Sequence, residues 1–156
     1  MASAQNSGAQ VSGQSPNWRP VFVVEDDWRQ RQEIADYLRY KGFSVVEFAS
    51  GSAALNEVSN CKPQVVLMDI RMPGRDGIQA AKAMISSSPS TKVILMTGVS
   101  KEIEHARAAC DVFAVIGKPF SANQLFHFVS GAFGEYQRTT ADSNRQRLWY
   151  EVHNGG

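Results

Sequence analysis

Val21-Phe22-Val23-Val24, Val65-Val66-Leu67-Met68 and Val93-Ile94-Leu95-Met96 are apolar at every position rather than at alternate ones. Such runs belong to strands covered on both faces, and the cover must come from helices above and below the sheet. Two further runs, Val45-Val46-Glu47-Phe48 and Val112-Phe113-Ala114-Val115-Ile116, complete a set of five. Segments with helical spacing lie between them. Residues 28–41 place Ile34, Tyr37, Leu38 and Lys41 on one side and stop at Gly42. Ser50 is placed to cap a helix running to about Ser59, with Ala53, Ala54, Leu55 and Val58 inward. A third helix runs from Asp76 to about Ser87 on Ile78, Ala81, Met84 and Ile85, and Pro89 closes it. Residues 100–109 form a polar helix anchored by Ile103 and Ala106. Ser121 caps a last helix to about Phe133. Strands alternating with helices in this way specify an α/β domain with a parallel sheet and right-handed crossovers.

The ends of these strands carry charge. Asp69 closes the third run and gives way at once to Ile70-Arg71-Met72-Pro73-Gly74. Glu25 and Asp26 follow the first run, Thr97 the fourth and Lys118 the fifth. In an open parallel sheet the ligand crevice lies beyond the carboxyl ends of the strands, where strand order reverses. The fold class therefore sends all of these residues to one edge. Carboxylates brought within 4–6 Å of each other repel by ~4 kcal/mol per pair at an effective dielectric near 20. A hard divalent cation removes that penalty while leaving positions open for phosphate oxygens. Lys118 supplies a point charge for one phosphoryl oxygen and Thr97 a hydroxyl for another. Asp69 then stands as a carboxylate nucleophile suited to forming an acyl phosphate.

Taken in order, Val-Val-Glu25-Asp26-Asp27, Met-Asp69-Ile-Arg-Met-Pro-Gly-Arg-Asp-Gly77, Met-Thr97-Gly and Gly-Lys118-Pro-Phe120 resemble the receiver domain of two-component response regulators. The resemblance covers residues 20–134. It implies a flavodoxin-like (βα)5 three-layer sandwich with a five-stranded parallel sheet of order 2-1-3-4-5. It implies further that Asp69 accepts a phosphoryl group from a sensor histidine kinase or a phosphotransfer protein. Mg2+, or Mn2+ in its place, would be held by Glu25, Asp26, Asp69 and the backbone carbonyl of Arg71. Thr97 and Lys118 would sense the phosphoryl group, and Lys118-Pro119 corresponds to a bond that is usually cis in the family. Val115 stands at the switch position where receivers commonly carry Tyr or Phe; the nearest aromatic, Phe113, lies two residues earlier. Arg71 and Val99 occupy the positions that tune autodephosphorylation, and their bulk and apolarity imply slow loss of phosphate. On this reading the chain signals and is not a turnover enzyme.

Other features set bounds. The 156 residues suit one domain, and a net charge of +1 offers neither a nucleic-acid surface nor a membrane-attracting patch. No apolar stretch approaches the ~20 residues of a membrane span, and the N-terminus lacks the pattern of a cleaved signal, so a cytoplasmic location is expected. Cys61 and Cys110 share no CxxC spacing and are expected as free thiols. Residues 1–19, rich in Ser, Gln, Gly and Asn, are read as a disordered arm. Residues 135–156 are read as a tail that includes Leu148-Trp149-Tyr150, a candidate docking helix. The last core helix carries a wide apolar arc for a partner protomer, a downstream target or that tail. With no output module of its own in view, the signal would leave by protein contact, unless the receiver was cut from a longer protein.

Asp27 is expected to cap the first helix, Trp28 to serve packing, and Glu102 with His105 to form a solvated face. Two competing functions remain. An Asp-nucleophile phosphatase of the haloacid-dehalogenase type wants a second acid two residues past the nucleophile, where Arg71 stands. A receiver-like interaction module independent of phosphorylation is supported only by Val115.

Overall fold

The computed structural model describes residues 19–74 and 76–138, with side chains through residue 134. The expectations for the N-terminal arm, apart from Arg19, and for Leu148-Trp149-Tyr150 fall outside the described residues. In chain order the elements are β1 (Val21–Val24), α1 (Trp28–Tyr40), β2 (Val45–Phe48), α2 (Gly51–Cys61), β3 (Val65–Asp69), α3 (Gly77–Ser87), β4 (Lys92–Thr97), α4 (Ser100–Ala109), β5 (Ala114–Gly117) and α5 (Ala122–Arg138). All strand pairings are parallel and the order is β2-β1-β3-β4-β5.

Local chemistry sets most helix boundaries. Asp27 caps α1 by accepting from Arg29 N at 2.9 Å and Gln30 N at 3.3 Å. Ser50 accepts from Ala53 N at 3.2 Å and Asp76 from Ile78 N at 3.1 Å. Ser121 Oγ accepts from Gln124 N at 3.1 Å while Gln124 Oε1 accepts from Ser121 N at 2.9 Å, a reciprocal capping box. Each cap satisfies amide groups that would otherwise be orphaned, worth ~1 kcal/mol. Gly42, expected as a stop, leaves α1 with φ of +94°, in the region glycine enters without penalty.

The strands alternate their side chains between two cores. Phe22, Val24, Val66, Met68, Val93, Leu95 and Val115 pack with residues of α2, α3 and α4. Val21, Val23, Val65, Leu67, Ile94, Met96 and Ile116 face α1 and α5, meeting Leu38, Leu125 and Val129. Each such side chain, removed from water, contributes roughly 1.5–3 kcal/mol. Edge strand β2 is only partly covered, which is why Glu47 can stand in its register.

The differences from the sequence reading are small and physical. Strand β5 begins at Ala114 rather than Val112, because Val112 and Phe113 are half-buried residues of the preceding turn. Ala53 is exposed, and Ala54 and Val58 make the buried face of α2. Helix α5 continues past Phe133 to Arg138. Arg19, assigned to the arm, donates to Ser90 Oγ at 3.2 Å. Both cysteines are free thiols. Among the described residues no helix is long and apolar enough to cross a membrane.

Candidate functional site

Sheet register assembles the site. Val24 pairs with Met68, so Glu25 follows β1 level with Asp69 at the end of β3. Asp69 pairs with Met96, and Thr97 with Gly117, which puts Thr97 and Lys118 at the same edge. Strand order reverses between β1 and β3, and the charged residues sit at that reversal.

Lys118 Nζ donates to Asp69 Oδ2 at 2.6 Å, to Glu25 Oε2 at 2.9 Å and to Gln30 Oε1 at 2.9 Å. The other oxygen of Asp69, Oδ1, accepts from the Arg71 N–H at 2.8 Å. Glu25 is 1% exposed, and its Oε1 accepts from Asp27 N at 3.2 Å. Burial raises its pKa to about 7; the neighbouring Asp69 adds to the rise and Lys118 opposes it. Burial works against the Lys118 charge too, but the two carboxylates outweigh it and hold that ammonium above its usual range. The sequence offered no signal for Gln30, because only the folded chain brings α1 against the loop after β5. The Lys118-Pro119 bond is cis.

Asp26 is exposed, and among the described residues no three acidic, histidine or cysteine side chains form a ready metal cage. Glu25 and Asp69 are brought together with Lys118 between them, and Asp26, next to Glu25 in the chain, is exposed. The donor set nevertheless suits a hard cation: the Glu25 and Asp69 carboxylates converge on one point, where Lys118 Nζ lies 2.9 and 2.6 Å from them.

Thr97 is buried, and its hydroxyl donates to Glu102 Oε2 while accepting from Val99 N at 3.1 Å. Glu102 Oε1 also takes Arg71 Nε at 2.8 Å. Glu102 is therefore no solvated-face residue, as its spacing had suggested. Its signal was its place in the first turn of a helix whose N-cap, Val99, has no side-chain acceptor. Val115 is 3% exposed in the core beneath α4, whereas Phe113 belongs to the opposite core and cannot stand in for it. Trp28, expected to pack, is 58% exposed. Gly77 lies so close to the acceptor loop that a Cβ there would sit 2.6 Å from Ile70 Cα and 3.1 Å from Asp69 O.

The family model described as "Response regulator receiver domain" matches residues 21–130. The transcriptional regulatory protein PdtaR of Mycobacterium tuberculosis is 34% identical over 126 residues, covering 79% of this chain and 60% of that protein. The regulatory protein AtoC of Escherichia coli is 38% identical over 107 residues, covering 67% of this chain and 23% of that protein. The chain thus spans less than two thirds of these relatives. A CheY-like receiver from Methanospirillum hungatei superimposes with a TM-score of 0.73 at 22% identity, over 78% of this chain and 98% of that one, a likeness of fold. The N-terminal domain of a three-domain response regulator from Carboxydothermus hydrogenoformans has a TM-score of 0.69 at 28% identity, over 76% of this chain and 97% of that one. The ordered strand-end motifs, the sheet order and the family match agree, and the chain belongs to the response regulator receiver domains.

Proposed function

We propose that this receiver is a phosphoacceptor that takes a phosphoryl group from a sensor histidine kinase or phosphotransfer protein onto Asp69. The observation that carries this reading is Lys118 Nζ held 2.6 Å from Asp69 and 2.9 Å from buried Glu25 at the point where strand order reverses. A lone strand-end carboxylate has a structural explanation, but a buried acidic pair sharing one ammonium is costly to build and is expected at sites of charge transfer. Glu25, Asp26, Asp69 and the Arg71 carbonyl would hold Mg2+, or Mn2+ in its place. When bound, the cation neutralises the charge that gathers as carboxylates and phosphoryl oxygens approach.

In the transfer, an Asp69 carboxylate oxygen bonds to phosphorus as the P–N bond to the donor histidine breaks. The electron pair of that bond stays on the imidazole nitrogen. The Arg71 N–H orients the carboxylate through Oδ1. Lys118 meets one phosphoryl oxygen, and the Thr97 hydroxyl, on leaving Glu102, meets another. The modified state would signal by binding partners differently. The relative named as a transcriptional regulatory protein supports a regulatory role, and the output proposed for this receiver is a change in protein contact.

Intact-mass measurement after acetyl phosphate and Mg2+ tests the proposal. Wild type should gain one phosphoryl group and Asp69→Asn none. Equal gain in both proteins, or no gain together with no conformational response to beryllofluoride, would return the chain to the class of phosphorylation-independent interaction modules.

A further inference from the structure

Helix α4 differs from the other four helices at its N-terminus. Asp27, Ser50, Asp76 and Ser121 cap α1, α2, α3 and α5 through their side chains, but Val99 gives α4 no such bond. Ala106 is the one fully buried residue of α4. What ties its first turn to the sheet edge is Glu102, which accepts the Thr97 hydroxyl with one carboxylate oxygen and Arg71 Nε, at 2.8 Å, with the other. Arg71 is largely exposed, so its ion pair alone contributes little. The Thr97 bond is mostly shielded from water and carries more of the tie.

A hydroxyl has one proton to donate. Thr97 cannot give it to Glu102 and to a phosphoryl oxygen on Asp69 at the same time. A dianionic group at Asp69 also competes with Glu102 for the Arg71 guanidinium. We infer that Glu102 is a latch: it secures α4 while Asp69 is unmodified and loses its hold on α4 when Asp69 carries phosphate. The inference rests on Asp69 being the acceptor. It gives this chain a route from site to surface that needs no aromatic at position 115, because the moving part is the α4 tether rather than a ring turning into the core. Coupling of this kind is reciprocal, so removing the latch also favours phosphorylation.

The test combines hydrogen exchange of the amides of residues 100–109 with intact mass, on the full chain, with and without acetyl phosphate and Mg2+. In wild type the phosphodonor should add mass and speed exchange in α4. Glu102→Ala should show that faster exchange without phosphodonor, roughly tenfold for loss of hydrogen bonds to a charged group, and gain little more on phosphorylation. Glu102→Gln, which keeps an acceptor for Thr97 but loses the ion pair, should fall between them. Unchanged exchange in α1 and α2 shows that the variants are folded. If Glu102→Ala gains mass yet keeps wild-type protection and a wild-type phosphodonor response in α4, the latch is overturned and the acceptor stands. If wild type gains no mass, the acceptor reading fails and the latch with it.

Discussion

Lys118 Nζ lies 2.6 Å from Asp69 Oδ2 and 2.9 Å from Glu25 Oε2, so one ammonium serves two carboxylates from different strands. Removing it leaves a buried acidic pair without its shared cation. Lys118→Met should cost about 1–3 kcal/mol at pH 8, below the full penalty of a wholly buried pair because the lysine is partly exposed. The loss should shrink near pH 5.5, where Glu25 takes up a proton instead. Urea denaturation of both proteins at the two pH values measures this; an equal loss at both would contradict the shared-cation account.

The Glu25 pKa gives a second expectation with a definite sign. Its folded value is about 7 against an ordinary 4.5, so the folded state binds more protons than the unfolded state between those values. Its contribution to stability is therefore complete below pH ~4.5 and is lost as pH rises through ~7. A divalent cation competes for the same carboxylate and requires it deprotonated. Mg2+ should stabilise the protein more strongly at pH 8 than at pH 6, and Glu25→Gln should abolish most of that dependence. Thermal melts with and without Mg2+ at the two pH values decide it, and exposed Trp28, two residues past Asp26, offers a fluorescence signal for the same titration. A Mg2+ effect independent of pH would remove Glu25 from the cation site.

Apolar runs made the sheet legible because parallel strands buried on both faces leave little room for polar residues, as Val65 to Met68 show. The end of such a run is less informative. Val112 and Phe113 are apolar and half buried, and although Phe113 N donates to Val93 O at 2.8 Å, the regular pairing with β4 starts only at Ala114. Glu25, Asp69, Thr97 and Lys118 could be placed together from sequence because register follows from strand ends. Gln30 could not, since Lys118 lies 88 positions away, and the uncapped first turn that marks Glu102 does not disclose its partner Arg71, 31 positions away. Polar side chains on a helix look solvated until a tertiary partner is known. Asp26 shows the converse: its place in an acidic pair was plain, yet its side chain is exposed.

Gly77 links the third helix to the acceptor loop by close approach. An alanine Cβ would lie 2.6 Å from Ile70 Cα and 2.8 Å from Ile70 O, backbone atoms that cannot step aside without moving Asp69's neighbour. Gly77→Ala should destabilise by roughly 1–3 kcal/mol, as overpacking does, and slow phosphorylation by displacing the loop. Denaturation midpoints and the rate of mass gain with acetyl phosphate test both parts. A stable variant phosphorylated at the wild-type rate would show that the loop tolerates the displacement.

Val115 offers a test of the aromatic switch. It is buried in the core under α4, and ring atoms there would have to displace neighbours such as Ile103. Val115→Tyr should therefore cost about 1–3 kcal/mol through overpacking. It should leave the α4 response to phosphodonor unimproved. Gain of stability, or a larger response in α4, would mean that the pocket admits a ring and that the aromatic mechanism was merely lacking its residue.

Arg71 and Val99 bear on how long the phosphoryl group survives. Arg71 is anchored through Nε to Glu102 at 2.8 Å while its N–H fixes Asp69 Oδ1 at 2.8 Å, so the residue is held at both ends beside the acceptor. Val99, half buried at the start of α4, has no polar side-chain atom with which to orient a water for attack on phosphorus. Hydrolysis needs an oriented water in line with the Asp69–phosphorus bond, and neither side chain supplies a base for it. The phosphorylated protein should accordingly persist for minutes or longer in Mg2+, and Val99→Asn should shorten its lifetime severalfold by adding a polar group. Intact mass followed over time after removal of acetyl phosphate measures both. A wild-type lifetime of seconds would place the control of hydrolysis somewhere other than these two residues.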